Sequence, residues 1–399
     1  MTNRSNTTHI SESYGQRVLR LAFSGWGARL GLAWVLLLIF MAVFAPYLAN
    51  SMPLLASEHG VLTMPVLRYT TAEDVLMLSA FISALLLWKL KLNFIKKLWI
   101  FTLVVISFTL IAQMLLTPPK LIIYDSFRAK ANNAEYDWAV LPPIPYSPSD
   151  FLRDYGDTSL EAPFAADKAD KRVHIMGTDD NGADVASRMI HASRIALGIG
   201  FVATGIAMVI GIFIGGQMGY FSGRVDMFGM RLMEIFEAIP VLFLLLTIIA
   251  FFGRSIYLMM IIIGITGWSG YARYVRAEFL KLRKQDYVQA AIASGLPLQS
   301  ILFRHILPNG IAPLLVAISF GVASAILTEA TLSFLGLGPV DVPSWGQMLN
   351  QAVKSSTFNW WMAAFPGGAI FLTVFAYNLI GEALRDAIDP QLAGRLGVN

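Results

Sequence analysis

Apolar runs of about 20 residues recur along the whole chain, and at 1.5 Å per residue each can cross about 30 Å of hydrocarbon as a helix. Hydropathy marks about eight of them: Leu30–Ala49, Val75–Trp88, Leu98–Leu116, Ile195–Gly219, Ile235–Phe252, Ile256–Trp268, Ile311–Phe334 and Trp361–Ile380. The second and sixth are short for a span; Thr71–Asp74 and Leu90 can lengthen the second, and Tyr271 the sixth. Charged residues make up 14% of the chain and hydrophobic ones 56%, whereas a soluble domain carries about 25% charged residues. The expected fold class is therefore an all-α integral membrane protein.

The net charge of +4 is accounted for by basic loops beside membrane helices and calls for no nucleic acid. With no cysteine in the chain, disulfides, thiolate metal sites and thiol nucleophiles are excluded. Leu30–Ala49 follows a polar tail, is too long for the apolar core of a signal peptide, and carries Tyr47 where cleavage after Ala49 needs a small residue. It reads as an uncleaved span.

Short-loop Lys and Arg set the orientation. Placing the N-terminus in the cytoplasm puts Arg17, Arg20 and Arg29, then Lys89, Lys91, Lys96 and Lys97, on that side. Arg224, Arg231, Arg273, Arg276, Lys281, Arg283, Lys284 and Arg304 follow, while the opposite short loops hold little beyond Arg68, Arg254 and Lys354. Both termini are then expected in the cytoplasm. Thr117–Ser193, rich in Pro and Asp, is the one long external stretch, expected to mix extended structure, turns and short helices.

The most informative loop is Glu278–Asn309. Asp286–Ser294 reads as a helix, Gly295 suits the left-handed position past its end, Pro297 suits the first turn of a second helix, and Pro308 marks a turn back into the membrane. Tyr287, Ala290, Ala291 and Ser294 share one helical face of small residues beside one ring, a surface that another protein's backbone can approach closely. A basic loop resting on anionic headgroups through Lys281, Arg283 and Lys284 is the plainer alternative.

This loop resembles the EAA loop of ABC-importer membrane subunits, which has Glu-Ala-Ala, three residues, Gly, and nine more before an Ile-x-Leu-Pro-like ending. Here Gln289 replaces the Glu, Ala290, Ala291 and Gly295 match, and His305 stands in place of Ile. Arg304-His305-Ile306-Leu307-Pro308-Asn309 is the ending typical of the dipeptide, oligopeptide and nickel permease family. Three more stretches resemble that family: Gly177–Val185 with Ser187-Arg188 and Ser193-Arg194, with Ala183 at a family Arg position; Thr328–Gly338 with Pro343–Gly346; and Ile380–Pro390. Arg29-Leu30 through Phe44-Ala45-Pro46 is similar to the first helix of the second, C-type membrane subunit.

The resemblance implies a type I ABC-importer permease core, in which Tyr287, Gln289, Ala290, Ala291, Ser294, Gly295, Pro297, His305 and Pro308 couple to an ATPase subunit. It further implies a related permease subunit as partner, two ATP-binding subunits, an external solute-binding protein and a bacterial cytoplasmic membrane. Dipeptides, longer peptides, peptide antibiotics, glutathione and nickel chelates all move through this family. Members normally have six spans; Val75–Leu116 adds an extra helix pair near the N-terminus.

Ionisable groups inside spans cost about 2.5–3.5 kcal/mol on insertion scales, which makes Glu237 and Glu329 candidates for the translocation path or for ion pairing. Glu234 beside Arg231 reads as an interfacial pair. Gly211, Gly215 and Gly219 form a small-xxx-small face, for packing within the chain or against a partner. Trp360 and Trp361 read as interface markers, and Met259-Met260 as filler. The alternating Asp and Gly of Gly177–Val185 lack the bidentate Glu of an EF-hand, and the reading there is a capped helix start.

No phosphate-binding Gly-x-x-x-x-Gly-Lys-Ser/Thr stretch, no Ser/His/Asp arrangement and no HExxH is present, so the chain is expected to be a transport subunit without cofactor or catalysis of its own. The expected divisions are a cytoplasmic tail 1–29, an N-terminal membrane region 30–116, an external region 117–193, a permease core 194–383 containing the coupling loop 277–309, and a tail 384–399. An ion-gradient-driven carrier is the rival reading, and it predicts inverted repeats with interrupted helices.

Overall fold

The computed structural model describes residues 14–119, 122–133, 135–155, 160–166, 173–339, 342–357 and 359–388. Asp389 and Pro390, which end the last family-like stretch, lie outside the described residues.

In chain order, α1 (Tyr14–Ala22) and α2 (Trp26–Leu48) lead to the hairpin β1 (Leu55–Glu58) and β2 (Val61–Thr63). Then come α3 (Pro65–Arg68), α4 (Ala72–Lys89), α5 (Phe94–Leu115), α6 (Tyr124–Asn132) and β3 (Trp138–Val140). A 3₁₀ turn (Leu152–Tyr155), β4 (Ala165–Ala166) and β5 (Val173–His174) precede the long α7 (Val185–Phe221). The rest is helical: α8 (Gly223–Ala238), α9 (Val241–Phe252), α10 (Ile256–Leu282), α11 (Asp286–Ala293), α12 (Leu298–Ser300), a π turn (Ile301–Ile306), α13 (Leu307–Phe334), α14 (Trp345–Lys354) and α15 (Trp360–Ile388).

All eight expected spans are helical. Among the described residues, α2, α5, α7, α13 and α15 are each long and apolar enough to cross a membrane. The expected span Ile235–Phe252 is not one rod: the chain bends by 70° between α8 and α9. Pro240 supplies the reason, since it has no N–H to extend α8 and clashes with a helical carbonyl four residues back. The expected Ile256–Trp268 continues for another four turns to Leu282, which makes α10 27 residues long.

α7 and α10 form the central pair. Their backbones touch along Gly211, Gly215 and Gly219. A Cβ on Gly211 would lie 2.5 Å from the Tyr271 Cβ, one on Gly219 2.7 Å from the Arg276 carbonyl, and one on Gly215 would overlap the Ala272 carbonyl. The small-residue face thus packs within the chain. α13 and α15 close the bundle around a core that includes Leu38, Met189, Ile326 and Tyr377. α1 packs on α15, and Gly27 and Gly31 of α2 face Leu379 and Ala376, so both ends of the described chain lie at one end of the bundle.

The extra pair, α4 and α5, is held through the acidic first turn of α4. Thr71 and Asp74 form a reciprocal capping box, and Asp74 also receives Arg194 Nη1 of α7 at 2.6 Å. Arg194 Nε donates to the Ala42 carbonyl of α2 at 2.6 Å, and the Tyr257 hydroxyl at the start of α10 donates to Glu73. One arginine therefore ties the added helices to two core helices. α5 packs on α4 and is otherwise almost wholly exposed.

The external region contains strands as well as helices. β2-β1-β3 form an antiparallel sheet with Ala56 opposite both Thr63 and Ala139. β1 comes from the expected N-terminal membrane region and β3 from the expected external one, so this cap is discontinuous in sequence. The expected boundary at 193/194 falls inside α7, which starts at Val185. Arg128 and Ser51 both donate to buried Asp150, linking the two sequence segments of the cap. Asp137, which accepts from the Gly60 amide and from Ser57 at 2.9 Å each, has its carboxyl held below the usual carboxylate range by those bonds.

Two outcomes follow from this packing. Gly215→Leu is expected to abolish a detergent-stable fold, because overpacking a backbone contact costs about 1–3 kcal/mol or more, whereas Gly205→Leu on the same helix, with open space at its Cβ, is tolerated; size-exclusion profiles of the two variants check this. Asp74→Ala removes both a helix cap and the partner of a largely buried arginine, for a loss of roughly 2–3 kcal/mol. It is expected to lower the melting temperature and to speed tryptic cleavage between Lys89 and Lys97, with Asp74→Asn intermediate.

Candidate functional site

The loop between α10 and α13 folds as a bent helical elbow. α10 ends at Leu282, and Arg283 is fixed at once: its Nη1 donates to the Tyr220 carbonyl and to Ser222 Oγ at 3.0 Å, at the α7–α8 turn. Gln289 Nε2 donates back to the Arg283 carbonyl at 2.8 Å. The residue that replaces the family Glu thus closes the turn that begins the elbow. Asp286 in the first turn of α11 complements the positive end of the helix.

The end of α11 is a Schellman motif. The Leu296 amide reaches the Ala291 carbonyl at 3.3 Å, and the Gly295 amide the Ile292 carbonyl at 3.0 Å. Gly295 has φ +68°, the left-handed conformation that costs an L-residue with a Cβ about 1–2 kcal/mol. Pro297 then occupies the cap position of α12, with φ −64° and ψ 146°.

Beyond Pro297 the structure departs from the expected turn at Pro308. α12, the π turn and α13 run on without a break from Leu298 to Phe334. In a regular α-helix Pro308 would clash with the Arg304 carbonyl and leave a bond unmade. The π turn Ile301–Ile306 widens the ladder just before it, with the Leu307 amide bonding to the Leu302 carbonyl. Asn309 Nδ2 donates to the His305 carbonyl at 2.7 Å. Pro308 is thus an accommodated proline inside a long rod, and His305, half-buried, lies in the π turn.

α11 has two unlike faces. Val288 and Ala291 are buried against Val275 and Phe279 of α10, Ile301 and Ile306 of the π turn, and Leu314 of α13. Tyr287, Gln289, Ala290, Ser294, Gly295 and Pro297 are exposed. Ala291 therefore does not join the outward face expected of it: its side chain packs in the cluster with Phe279 and Ile306. The outward face gains Ile292, Leu296, Leu298 and Phe303, the last 58% exposed. Their signal in the sequence is a set of large apolar side chains in a loop with no periodic partner inside the chain. Lys281 and Lys284 are exposed.

The two acidic candidates have partners within the chain. Glu237, at the end of α8 beside the bend, is half-exposed and pairs with Arg273 of α10. Asp226 and Arg276 make a second α8–α10 pair, with Nη2 to Oδ2 at 2.7 Å, and Arg231 pairs with Glu234 at 2.5 Å as expected. Glu329 is 2% exposed and accepts from Ser333 Oγ at 2.6 Å. It lies where Gly346 at the start of α14 meets the backbone of the next residue, Ala330. Ser344 caps α14 by accepting from the Gln347 amide at 3.2 Å, so the Thr328–Gly338 and Pro343–Gly346 stretches form one joint.

The Gly177–Val185 stretch is the expected capped start of a helix. Asp184 caps α7 at the Ser187 amide (2.6 Å) and receives His174 Nδ1 at 2.9 Å. Asp179 closes the preceding turn on the Asn181 and Ala183 amides and pairs with Arg188. Trp361 and Trp345 donate to the Thr178 and Met189 carbonyls at 3.0 and 3.3 Å. Trp361 is thus buried in this joint, while Trp360 is exposed.

The sequence profile of the binding-protein-dependent transport system inner membrane component matches residues 207–394, which takes in the bend, the elbow and the α13–α14 joint. The oligopeptide transport system permease protein OppC of Bacillus subtilis is 38% identical over 240 residues, covering 60% of this chain and 78% of the relative. The glutathione transport system permease protein GsiD of Pectobacterium atrosepticum is 36% identical over 250 residues, covering 62% and 80%. The dipeptide transport system permease protein DppC of Alkalihalophilus pseudofirmus is 38% identical over 220 residues, covering 55% and 72%. A solved structure of the MetNI methionine ABC transporter in an inward-facing conformation overlaps 51% of this chain and 97% of its own, at 17% identity and a TM-score of 0.43. Importers of this class combine a membrane subunit with a paired permease, ATPases and a solute-binding protein, which sets the chain apart from ion-gradient carriers and from enzymes. The chain belongs to the binding-protein-dependent transport family, as a C-type, multi-pass permease subunit of an ATP-driven importer.

Proposed function

We propose that this permease moves peptides or related small solutes across a bacterial inner membrane, and that the α11–α12 elbow is where ATP-driven motion enters it. In the complete importer it pairs with one related permease, two ATP-binding subunits and an external solute-binding protein. Both termini and the elbow face the cytoplasm, as the placement of Lys and Arg favours. The β-containing cap, on the opposite side, receives the solute-binding protein.

The observation that carries this reading is the division of labour in the elbow. Its inner face is fixed to α10 by Val288 and Ala291 and to the α7–α8 turn by Arg283. Its outer face presents Tyr287, Ala290, Ser294 and Phe303, with Gly295 and Pro297 shaping the turn. A force on that face reaches α10 through packed side chains and α13 through continuous helix. A lipid-resting loop has no need of such a two-faced mount. Gln289, His305 and Pro308 act through backbone shape: Gln289 closes the entry turn, His305 belongs to the π turn, and Pro308 follows it in α13. Glu237, beside the exposed bend, is the acidic candidate for the path, and Glu329 holds α14 onto α13. The peptide assignment rests on what the relatives OppC and DppC are named for.

Gly295→Val forces a β-branched residue into a left-handed backbone, at a cost of about 1–2 kcal/mol that opens the turn. Purification through a tag on this chain is expected to recover the ATP-binding subunits with wild type and with Gly295→Asn, and to lose them with Gly295→Val. Recovery of those subunits at the wild-type ratio with Gly295→Val would sink the coupling assignment.

A further inference from the structure

The added helix pair carries side-chain charge of one sign beyond the acidic first turn of α4. From Val75 to Tyr124 the sequence has no Asp or Glu, and Lys89, Lys91, Lys96 and Lys97 fall within nine residues where α4 gives way to α5. Lys89, Lys91 and Lys96 are exposed and Lys97 is half-exposed. Among the described residues these four make no ion pair, unlike Lys130 and Lys281. Lys96 and Lys97 stand in the first turn of α5, which has no acidic residue. Basic groups at that end oppose the helix dipole, so helix stability gives no reason for them.

Trp88 and Trp99 flank the turn and are 86% and 72% exposed. Indole rings settle at the level of lipid headgroups, so the lysines beside them meet lipid phosphates as well as water. Leu90, Leu92 and Ile95 are exposed among the lysines; a turn facing water alone would carry polar residues in those places. Packing also leaves this end of the pair untied. α4 is fixed in its first turn, where Asp74 meets Arg194 and Glu73 meets Tyr257. The lysines lie at the other end of this 18-residue helix, about 27 Å away at 1.5 Å per residue.

We propose that the α4–α5 turn binds anionic phospholipid, whose phosphates meet the four ammonium groups while its acyl chains lie along the exposed faces of the two helices. Under the orientation that Lys and Arg favour, the turn lies at the cytoplasmic leaflet, and the inference rests on that reading. Anionic lipid of that leaflet attracts basic segments beside spanning helices. Lysine is a compact point charge without the bidentate fork of arginine, so the site reads headgroup charge and not headgroup shape. The bound lipid holds the free end of the added pair at the membrane surface, as Asp74 holds the other end against the core.

Because the chain has no cysteine, Asn93→Cys places one thiol in the turn for a fluorescent label. The whole importer is set in phosphatidylcholine nanodiscs containing a minor share of phosphatidylglycerol or phosphatidylcholine with a nitroxide on the acyl chain near the headgroup. Quenching of the label, after subtraction of the importer without this cysteine, gives the relative association of the two lipids. Phosphatidylglycerol is expected to quench more strongly, and its advantage to fall by up to about fivefold for each lysine replaced by Gln. Lys89→Gln, Lys91→Gln, Lys96→Gln and Lys97→Gln together are expected to make the two lipids equal, while Arg at all four positions keeps the preference. In the unsubstituted turn, about 1 M salt, which shortens the screening length to about 3 Å, is expected to remove most of it. Equal quenching by the two lipids at low salt, or a preference that survives the four Gln changes, overturns the lipid site. Loss of the preference in inorganic phosphate but not in chloride of the same ionic strength assigns the lysines to soluble phosphate and overturns it too. A membrane-impermeant maleimide tests the orientation separately: it is expected to reach Asn93→Cys in inverted vesicles and not in spheroplasts. Labelling in spheroplasts alone overturns the cytoplasmic placement, whereas correct sidedness with equal quenching rejects the lipid site and leaves the orientation standing.

Discussion

The close backbone contact between α7 and α10 is what the other features depend on. Dispersion and shape, not the hydrophobic effect, hold helices together in lipid, so backbones must approach closely to gain much. Gly211, Gly215 and Gly219 permit that approach over two turns. The elbow end of the same pair carries Phe279, which packs on Gly216 of α7 and belongs to the core that holds Val288 and Ala291 of the elbow. Its other end carries Arg194 and Tyr257, which receive the acidic turn of α4. The elbow and the added helix pair are thus mounted on opposite ends of one rigid unit.

Much of this was legible because the physics was local. Gly295 requires a left-handed turn, Asp184 caps the helix that follows it, and runs of about 20 apolar residues make spans. Expectations failed where non-local or compensating contacts decided the outcome. Pro308 reads as a stop, yet a π turn absorbs it, and nothing in the residues Ile301–Ile306 announces the wider ladder. Ala291 matches its neighbours in size and spacing but is drawn inward by Phe279 and Ile306. Glu73 and Asp74 make the second span look weak; they are the contacts that anchor it, which becomes visible only once Arg194 and Tyr257, more than a hundred residues away, are placed beside them. The strands of the cap escape the sequence because β1 and β3 are three or four residues each and are separated by β2 and four helices, α3 to α6.

The bend at Pro240 shows the same limit from the other side. Composition presents Ile235–Phe252 as a continuous apolar run, and only the Ala238-Ile239-Pro240 step hints at a break. The break changes what surrounds it. α8 is left free to pair Asp226 and Glu237 with Arg276 and Arg273 of α10, while α9 packs Leu245 in one cluster with Met259 and Ile262 of α10. An unbroken helix could not do both, because its charged half would have to follow its apolar half into lipid.

α13 joins the remaining parts into one mechanical argument. From Leu298 to Phe334 it is a single helical run. It starts at the exposed elbow, packs Gly321 against Tyr271 of α10, and ends where Glu329 and Ser333 meet the start of α14. Packed helices are bistable, not continuously deformable, so a displacement imposed at Leu298 is carried along the rod unless some segment yields. The π turn is the irregular stretch of that run, and Pro308 just past it opposes a regular helix there. On the proposed reading, docking at the elbow sets the tilt of α13, and the helix carries that tilt to its joint with α14. The α13–α14 joint and the state of the ATPase are then linked through one helix.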